Sequence, residues 1–284
     1  MFFKEFLTNS FFHDKIGEGA KNMLKKILSL FLFLSIICSG CAKKQSVQEN
    51  QDLLSVIKKR DKIIVGVKTD VPPFGFLDKD GKNIGFDVDL AKLLAKRLLG
   101  DENKVDFVPV NASNRIMKLS SKEVDMIIAT MSITQQRQMI LDFSVPYHIA
   151  GQAIMVRKDS KISSLMELQN KIAIIVFGST VEHNLRSNVP NIRIIGFKTY
   201  PEAFDAFKKG YADAVISDDT ILFGFKMKDN SVKILPKRYS KEPYAVAFRK
   251  DGNASELVNM VNLEITRLVD TGIIRQLKEK WAIN

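Results

Sequence analysis

Residues 124–144, VDMIIATMSITQQRQMILDFS, contain an apolar run that gives way to polar residues and a single arginine, Arg137. The run from Val124 to Ala129 predicts a buried strand. Three residues with short hydroxyl side chains follow it: Thr130, Ser132 and Thr134. A strand that ends where a helix begins leaves unpaired backbone N–H groups, which favour an anion, and an arginine can hold a carboxylate with two parallel hydrogen bonds. The pattern therefore predicts a carboxylate seat, and the alternative is a helix cap beside an arginine that pairs with a surface acid.

The chain on either side of this stretch alternates between strand-like and helix-like segments. Strand-like runs lie at residues 63–67, 105–110, 153–157, 172–176, 192–197, 214–217 and 244–248. Helical spacing of apolar residues occurs at residues 86–99, 113–120, 164–169, 181–187, 200–209, 220–228, 255–270 and 273–281. Such βαβ alternation predicts an α/β fold of two similar-sized lobes, which usually place a ligand cleft between them.

The composition excludes several classes of function. The chain has 284 residues, of which 45% are hydrophobic and 26% charged, as in an ordinary globular protein. Its net charge is +11, but the lysines are scattered, so nucleic acid is not predicted as a partner. The histidines lie far apart, both cysteines lie near the N-terminus, and no nucleotide-binding motif is present. The sequence therefore predicts no metal site and no cofactor.

The N-terminal region is typical of an exported protein. Lys25 and Lys26 precede an uncharged run of 16 residues, Ile27 to Ala42, which is shorter than the ~20 residues of a membrane-spanning helix. Residues 1–40 are therefore predicted to be a leader and signal peptide, and Met23 is an alternative start, because a clean signal begins there.

The signal ends in Ser39-Gly40-Cys41, which resembles the lipobox of bacterial lipoproteins, whose cysteine is lipidated. Residues 41–51 would then be a lipid anchor at Cys41 and a polar tether. We expect the protein in the cell envelope or periplasm, attached to a membrane by its lipid. A plain secretory signal is the alternative.

Short motifs are spread from about residue 52 to the C-terminus. They are Gly66-Val67 with Pro73-Phe74, Gly85-Phe-Asp-Val-Asp-Leu-Ala91, Val124-Asp125, Ser132-Ile133-Thr134 with Arg137, Asp142-Phe143-Ser144 with Pro146-Tyr147, Ala212-Asp213-Ala214 with Asp218, and Lys280-Trp281. Together they resemble the polar amino-acid binding proteins that feed ABC importers, a branch of the extracellular solute-binding family.

The resemblance implies a two-lobed, periplasmic-binding-protein-like fold of type II. Two strands would cross between the lobes, near residues 147–151 and 241–244. Lobe 1 would comprise residues 52–147 plus 245–284, and lobe 2 would comprise residues 148–244 with the hinges.

The resemblance also implies how an amino acid is held. The residues expected around its α-carboxylate are Arg137, Ser132, the backbone at Thr130, and Thr180. Those expected around its α-ammonium are Asp218 and the carbonyl of Ala129. Both ends need partners, because a zwitterion taken out of water loses hydration worth several kcal/mol per charge. The alternative role of Asp218 is that of a helix cap. Phe74 is expected to pack over the ligand, and its alternative role is packing in the hydrophobic core.

Lys68 and Arg115 are expected at the side-chain end of the ligand. Many family members have an acidic residue at the position that matches Lys68. Two cations there would repel a basic ligand and stabilise a second carboxylate, since charge-assisted hydrogen bonds contribute ~1.5–3 kcal/mol each. The sequence therefore predicts glutamate or aspartate, with another polar amino acid such as cysteine or glutamine as the alternative.

The predicted function is capture and not catalysis. The two lobes would close over the amino acid, and an ABC permease in the cytoplasmic membrane would recognise the closed, monomeric protein. One alternative is a dehydratase of a cyclic acid on the same fold, with Asp218 or Glu182 as the acid. Another is a surface adhesin.

Overall fold

The computed structural model describes residues 52–283. The predicted signal peptide, the start at Met23, the lipidated Cys41 and the tether lie outside the described residues. Within the described range no helix is long and apolar enough to cross a membrane.

The helices of the described range divide into long helices that cover the sheets and short helices in the connections. They are α1 Leu53–Arg60, α2 Phe86–Leu99, α3 Arg115–Ser120, α4 Gln135–Gln138, α5 Val181–Asn188, α6 Tyr200–Lys208, α7 Asp219–Lys226, α8 Ser255–Asp270 and α9 Ile273–Lys280, with a 3-10 turn at Met166–Leu168.

The strands are mostly short. They are β1 Ile63–Val67, β2 Asp70–Val71, β3 Gly75–Leu77, β4 Asn83–Ile84, β5 Val105–Pro109, β6 Met126–Ile127, β7 Leu141–Phe143, β8 His148–Ala150, β9 Gln152–Arg157, β10 Ile172–Val176, β11 Arg193–Phe197, β12 Ala214–Asp218, β13 Val232–Ile234, β14 Glu242–Tyr244 and β15 Ala247–Arg249.

The first lobe is built on a five-stranded sheet with the order β5-β1-β6-β15-β7. Strand β1 pairs in parallel with β5 and β6, and β15 pairs antiparallel with β6 and β7. Helix α2 covers this sheet, because Phe86, Leu90 and Leu94 repeat every four residues and are buried on one face. It ends at Gly100, whose positive φ of 79° suits a glycine.

The second lobe repeats the arrangement with the order β11-β10-β12-β9-β13. Strand β10 is parallel to β11 and β12, whereas β9 is antiparallel to β12 and β13. Helix α6 starts with a capping box, in which Thr199 and Glu202 each bond the other's backbone.

Two strands run between the lobes. Strands β8 and β14 pair antiparallel, with His148 opposite Tyr244 and Ala150 opposite Glu242. The two-lobed α/β fold and its two crossing strands are therefore confirmed.

Several predicted segments differ from the structure. The strand predicted at residues 244–248 is two strands, β14 and β15, because Ala245 leaves the crossing pair to bond Met131 and Val246 bonds the Ser144 hydroxyl. The helix predicted at residues 164–169 is a single 3-10 turn. Neither α1 nor the small sheet β2-β3-β4 was predicted.

Candidate ligand-binding site

The expected site residues lie at the carboxyl ends of the parallel strands of both lobes. Lys68 directly follows β1, Ala129 follows β6 by two residues, and Asp218 is the last residue of β12. Thr180 lies just beyond β10, at the start of α5. Because parallel strands end at one edge of their sheet, these residues line the facing edges of the two lobes, where α/β sheets usually bind ligands.

Arg115 lies inside this cleft with only 2% of its surface exposed. Its Nη1 donates to the carbonyl oxygens of Ala129 at 2.6 Å and Thr130 at 3.2 Å, and its Nη2 reaches Gly178 in the other lobe at 3.4 Å. The Nε atom has no hydrogen-bond partner among the described residues. Burial, and then the charge of Arg137, lower the pKa of Arg115 to about 9.

Lys68 is the second buried cation, with 1% of its surface exposed. Its ammonium lies 4.8 Å from the centroid of the Tyr200 ring, within range of a cation–π contact. Burial, and then the charge of Arg115, lower the pKa of Lys68 to about 7, against the attraction of Asp70 and Asp218. Neither Lys68 nor Arg115 forms a salt bridge with a described residue.

Thr130 adopts the left-handed conformation, with φ of 46°. Its backbone N–H donates to the Asp87 carboxylate at 3.0 Å, and Tyr147 donates its hydroxyl to the same carboxylate at 2.9 Å. The Thr130 backbone is expected at the ligand α-carboxylate; its N–H already donates to Asp87 in this structure, and the expected role stays a prediction. The Thr130 hydroxyl is buried without a partner among the described residues and could still meet a ligand.

Asp87 is a buried acidic residue beside the candidate site that was not predicted from the sequence. It is fully buried on the first turn of α2 and holds Thr130 in place. Burial raises its pKa to about 7, although the hydrogen bonds from Tyr147 and Thr130 lower it. The motif from Gly85 to Ala91 was the only sequence signal for it.

Asp218 occupies the N-cap position of α7, but its side chain forms no capping hydrogen bond. The carboxylate instead accepts a 2.5 Å hydrogen bond from the Tyr244 hydroxyl. Burial, and then the nearby Glu242, raise the pKa of Asp218 to about 7. The helix-cap alternative is therefore not supported, and a ligand cation beside Asp218 would favour its charged form.

Arg137 bonds across the cleft. Its Nη1 donates to the Ser132 carbonyl at 2.8 Å, and its Nη2 donates to the Gly178 carbonyl of the second lobe at 2.9 Å. Thr134 caps α4 by accepting a 3.2 Å hydrogen bond from the Arg137 N–H, as the helix-cap alternative predicts, but Arg137 forms no salt bridge with an acid among the described residues; the carboxylate seat stays a prediction. Arg115 and Arg137 thus meet the same carbonyl, and the lobes are closed on each other.

Thr180 takes part in a buried polar chain next to the crossing strands. Its hydroxyl accepts from the Gln152 amide at 2.8 Å, and the same amide donates to Glu242 at 3.1 Å. An open cavity of about 440 Å³ adjoins this chain, and Arg137 and Thr180 are among its lining residues. Because Arg137 and Thr180 are both expected at the α-carboxylate, we call this cavity the cleft mouth.

Phe74 is fully buried in an aromatic cluster. Its ring lies 5.6 Å from Phe86, 5.4 Å from His148 and 5.6 Å from Tyr244, measured between centroids. The cluster joins α2 to both crossing strands. Phe74 therefore makes the core contacts that the alternative predicts. Tyr244 links it to Asp218, because the Tyr244 ring contacts Phe74 and the Tyr244 hydroxyl donates to Asp218.

The two α/β lobes, joined by two crossing strands around a charged, closed cleft, form a periplasmic-binding-protein-like fold. The family model for bacterial extracellular solute-binding proteins, family 3, matches residues 63–284, so the chain belongs to this family.

Relatives of this chain are named after different amino-acid ligands. The glutamine-binding protein of Geobacillus stearothermophilus is 40% identical over 239 residues, covering 79% of this chain and 91% of that protein. The ABC transporter glutamine-binding protein GlnH of Bacillus subtilis is 37% identical over 268 residues, covering 91% of this chain and 97% of that protein. The crystal structure of the cysteine-binding protein of Campylobacter jejuni matches 81% of this chain and 92% of its own, with a TM-score of 0.77 and 34% identity.

Proposed function

We propose that this protein captures an acidic amino acid, L-glutamate or L-aspartate, for an ABC importer. The observation that carries the proposal is the pair Lys68 and Arg115, two cations buried in the cleft without a salt bridge to any described residue. Buried charges normally have an opposite charge beside them, because desolvation of a lone ion costs several kcal/mol. A ligand carboxylate would supply the missing partner.

The ligand α-carboxylate would lie between Arg137, Ser132 and Thr180, next to the cavity at the cleft mouth. Its α-ammonium would lie against Asp218, whose carboxylate is buried and needs a cation to be stable in charged form. The side chain would then point toward Lys68 and Arg115. This pose pairs every ligand charge, with the Thr130 hydroxyl and the Ala129 carbonyl at the edge of the seat.

The charge at the side-chain end determines which amino acids fit. A lysine or arginine ligand would place a third cation beside Lys68 and Arg115, which costs several kcal/mol. A glutamate carboxylate would form charge-assisted hydrogen bonds with both. The Arg115 guanidinium already bonds Ala129 and Thr130, so its Nε is the atom left to face a ligand.

L-glutamine is the second candidate, because two relatives are named glutamine-binding proteins. Its side-chain carbonyl could accept a hydrogen bond from Lys68, but its amide carries no charge to offset the cations. Glutamine should therefore bind more weakly than glutamate in this cleft. L-cysteine, the ligand in the name of the matched crystal structure, is short and would leave Lys68 without a contact.

The wider role follows from family membership and the expected export signal. We propose an ABC permease as the partner, a monomeric protein, and attachment to a membrane through a lipid on Cys41. The lobes would be residues 52–147 plus 245–284 and residues 148–244. A dehydratase role is less favoured, because Asp218 is needed for the ammonium and Glu182 is engaged by Arg186 at the surface.

The test is calorimetric titration of protein that has been unfolded and refolded to remove bound ligand. L-glutamate, L-aspartate, L-glutamine, L-cysteine and L-arginine would be titrated separately. We expect glutamate or aspartate to bind at least tenfold more tightly than glutamine, and arginine to show no heat of binding. If glutamine bound more tightly than glutamate and aspartate, the assigned ligand would be wrong but the capture role would stand. If none of the five amino acids gave a heat of binding, the capture role would be rejected.

A further inference from the structure

A short segment of the first lobe, residues 70–73, is inserted into the second lobe, and we call this segment the tongue. Strand β2, which follows β1, carries Val71, which is 0% exposed. Val71 belongs to a hydrophobic cluster otherwise made largely of second-lobe side chains, among them Ala153, Met155, Tyr200, Ile221 and Leu222. The neighbouring Asp70 accepts a 3.3 Å hydrogen bond from the Tyr200 backbone N–H. In the closed protein, second-lobe side chains therefore bury Val71.

Helix α7 of the second lobe makes room for this tongue at Gly224. A Cβ atom built on Gly224 would lie 1.9 Å from the Pro72 carbonyl oxygen and 2.7 Å from its carbonyl carbon. These are backbone atoms, which cannot rotate away as the end of a side chain can. Any residue other than glycine at position 224 would push the tongue and α7 apart.

The glycine is not required by the helix itself. Gly224 lies inside α7 at ordinary helical φ, where alanine is the better helix former. Without the contact to Pro72, Gly224 would only weaken its own helix. Its contact with Pro72 is the structural reason for a glycine at this position.

A second place of close backbone contact lies on the other side of the cleft. A Cβ atom on Gly178 would lie 2.3 Å from the carbonyl oxygen of Ala112 in the first lobe. Gly178 also has φ of 79°, which favours glycine independently of closure. Gly224 is therefore the better residue for a test, because only closure explains it.

We infer that Val71 and Gly224 form a latch that stabilises the closed form without the ligand, and that this latch sets part of the ligand affinity. Neither residue lies among those that surround the expected ligand. The latch acts through the equilibrium between open and closed lobes, so both are positioning residues. The inference relies on closure of the two lobes and not on which amino acid is bound.

The latch has a quantitative consequence. If the ligand needs the closed form, its apparent dissociation constant equals the intrinsic constant divided by the fraction of closed molecules. A variant that lowers the closed fraction fivefold should therefore weaken binding fivefold. All ligands should be affected equally, because the latch does not touch them.

The experiment measures the closed fraction by single-molecule energy transfer in the full chain. The cysteines at positions 38 and 41 are replaced by serine, and dyes are attached at Glu102→Cys in lobe 1 and Asp159→Cys in lobe 2, both exposed. The ligand-free protein is compared with Gly224→Ala and Val71→Ser. Lys226→Ala, an exposed position on the same helix, is the control. L-glutamate, L-glutamine and L-cysteine are titrated into each variant.

We expect a measurable closed population in the ligand-free protein and a decrease of at least fivefold in Gly224→Ala. The affinity for each amino acid that binds should fall by the same factor, while the melting temperature of ligand-free Gly224→Ala should rise. Val71→Ser should lower the closed fraction as well, and Lys226→Ala should change neither quantity. An unchanged closed fraction in Gly224→Ala would overturn the inference, and so would a lower melting temperature with unchanged affinity, the mark of a merely structural glycine. If no amino acid binds, the proposed function fails. The closed fractions of the ligand-free variants would still show whether Val71 and Gly224 stabilise the closed form.

Discussion

The Tyr244 hydroxyl on crossing strand β14 donates a 2.5 Å hydrogen bond to the Asp218 carboxylate at the end of β12. The residue expected to hold the ligand ammonium is therefore fixed by the strand that joins the lobes. Tyr244 also contacts the Phe74 ring, so the hinge, the aromatic cluster and the charged cleft form one connected unit.

Replacement of Tyr244 by phenylalanine should weaken amino-acid binding. The ring would keep its contacts with Phe74, but Asp218 would lose a hydrogen bond that stabilises its charged form, worth about 1–3 kcal/mol. Because that bond lowers the pKa of Asp218, its loss should raise this pKa further. Calorimetry at pH 7 should show a roughly tenfold or greater loss of affinity for L-glutamate. The exposed Tyr211→Phe is the control, and an equal affinity in both variants would contradict the assigned role of Tyr244.

Replacement of Arg137 by methionine should remove the α-carboxylate seat. The loss of two charge-assisted hydrogen bonds should cost about 3–6 kcal/mol in binding, reduced by the penalty of desolvating Arg137 itself. All amino acids should lose affinity by a similar factor, since each has an α-carboxylate. The comparison is Arg275→Met, whose guanidinium is largely exposed. A variant that loses affinity for only one amino acid would place Arg137 at the side chain instead.

The affinity for L-glutamate should peak near neutral pH. Burial raises the pKa of Asp218 to about 7 in the ligand-free protein, and Asp218 must lose its proton to pair with an ammonium. Affinity should therefore fall as the pH drops below 7. Burial lowers the pKa of Lys68 to about 7, and Lys68 must gain a proton to pair with a side-chain carboxylate, so affinity should also fall as the pH rises above 7.

The decrease in affinity above pH 7 should occur only with acidic ligands. L-glutamine needs no proton on Lys68, so its affinity should stay level above pH 7. Calorimetry in buffers of different ionisation heat would show proton uptake with glutamate and none with glutamine at pH 8. Equal proton uptake for the two ligands would mean that the side chain does not meet Lys68.

Lys68→Met should stabilise the ligand-free protein while it abolishes glutamate selectivity. The unfolded chain keeps the Lys68 proton up to a pKa of 10.5, whereas the folded protein loses it at about 7, so the buried charge opposes folding at lower pH. Removing it should raise the free energy of unfolding at pH 6 by on the order of 2 kcal/mol. Urea denaturation at pH 6 is the measurement, with Lys96→Met, exposed on α2, as the control. A destabilised Lys68→Met would show that Lys68 has a structural partner in the folded protein.

Asp87→Ala should destabilise the protein and loosen the site. Two buried donors, the Thr130 N–H and the Tyr147 hydroxyl, would lose their acceptor, at about 1–3 kcal/mol each. Thr130 should no longer be held at positive φ, so ligand affinity should fall together with the melting temperature. Asp87→Asn keeps one acceptor oxygen and should show a smaller loss of both. If Asp87→Ala melted like the unaltered protein, the role of Asp87 as an anchor would be wrong.

Long periodic elements could be predicted from the sequence, and short ones could not. Helix α2 was predicted at its observed bounds, because its apolar spacing is regular and Gly100 ends it. The small sheet β2-β3-β4 was missed, since strands of two or three residues have no visible period. Strand β14 was merged with β15, because only tertiary contacts show where the chain passes from the crossing pair into the first-lobe sheet.

The residue types of the site could be predicted, but their pairings could not. Lys68, Arg115 and Asp218, which the family resemblance implies, and Arg137, which the pattern after the strand at residues 124–129 also indicates, lie at the facing edges of the lobes. Asp87 accepts from the Thr130 N–H, 43 positions along the chain, and Asp218 accepts from the Tyr244 hydroxyl, 26 positions along the chain. No local pattern in the sequence encodes contacts of this length.

The most direct test of the central claim is a crystal structure of the ligand-stripped protein soaked with L-glutamate. We expect the side-chain carboxylate within hydrogen-bond distance of Lys68 Nζ or Arg115 Nε, the α-carboxylate on Arg137, and the ammonium on Asp218. A glutamate whose side chain points toward the cleft mouth, with Lys68 and Arg115 still facing no anion, would contradict it.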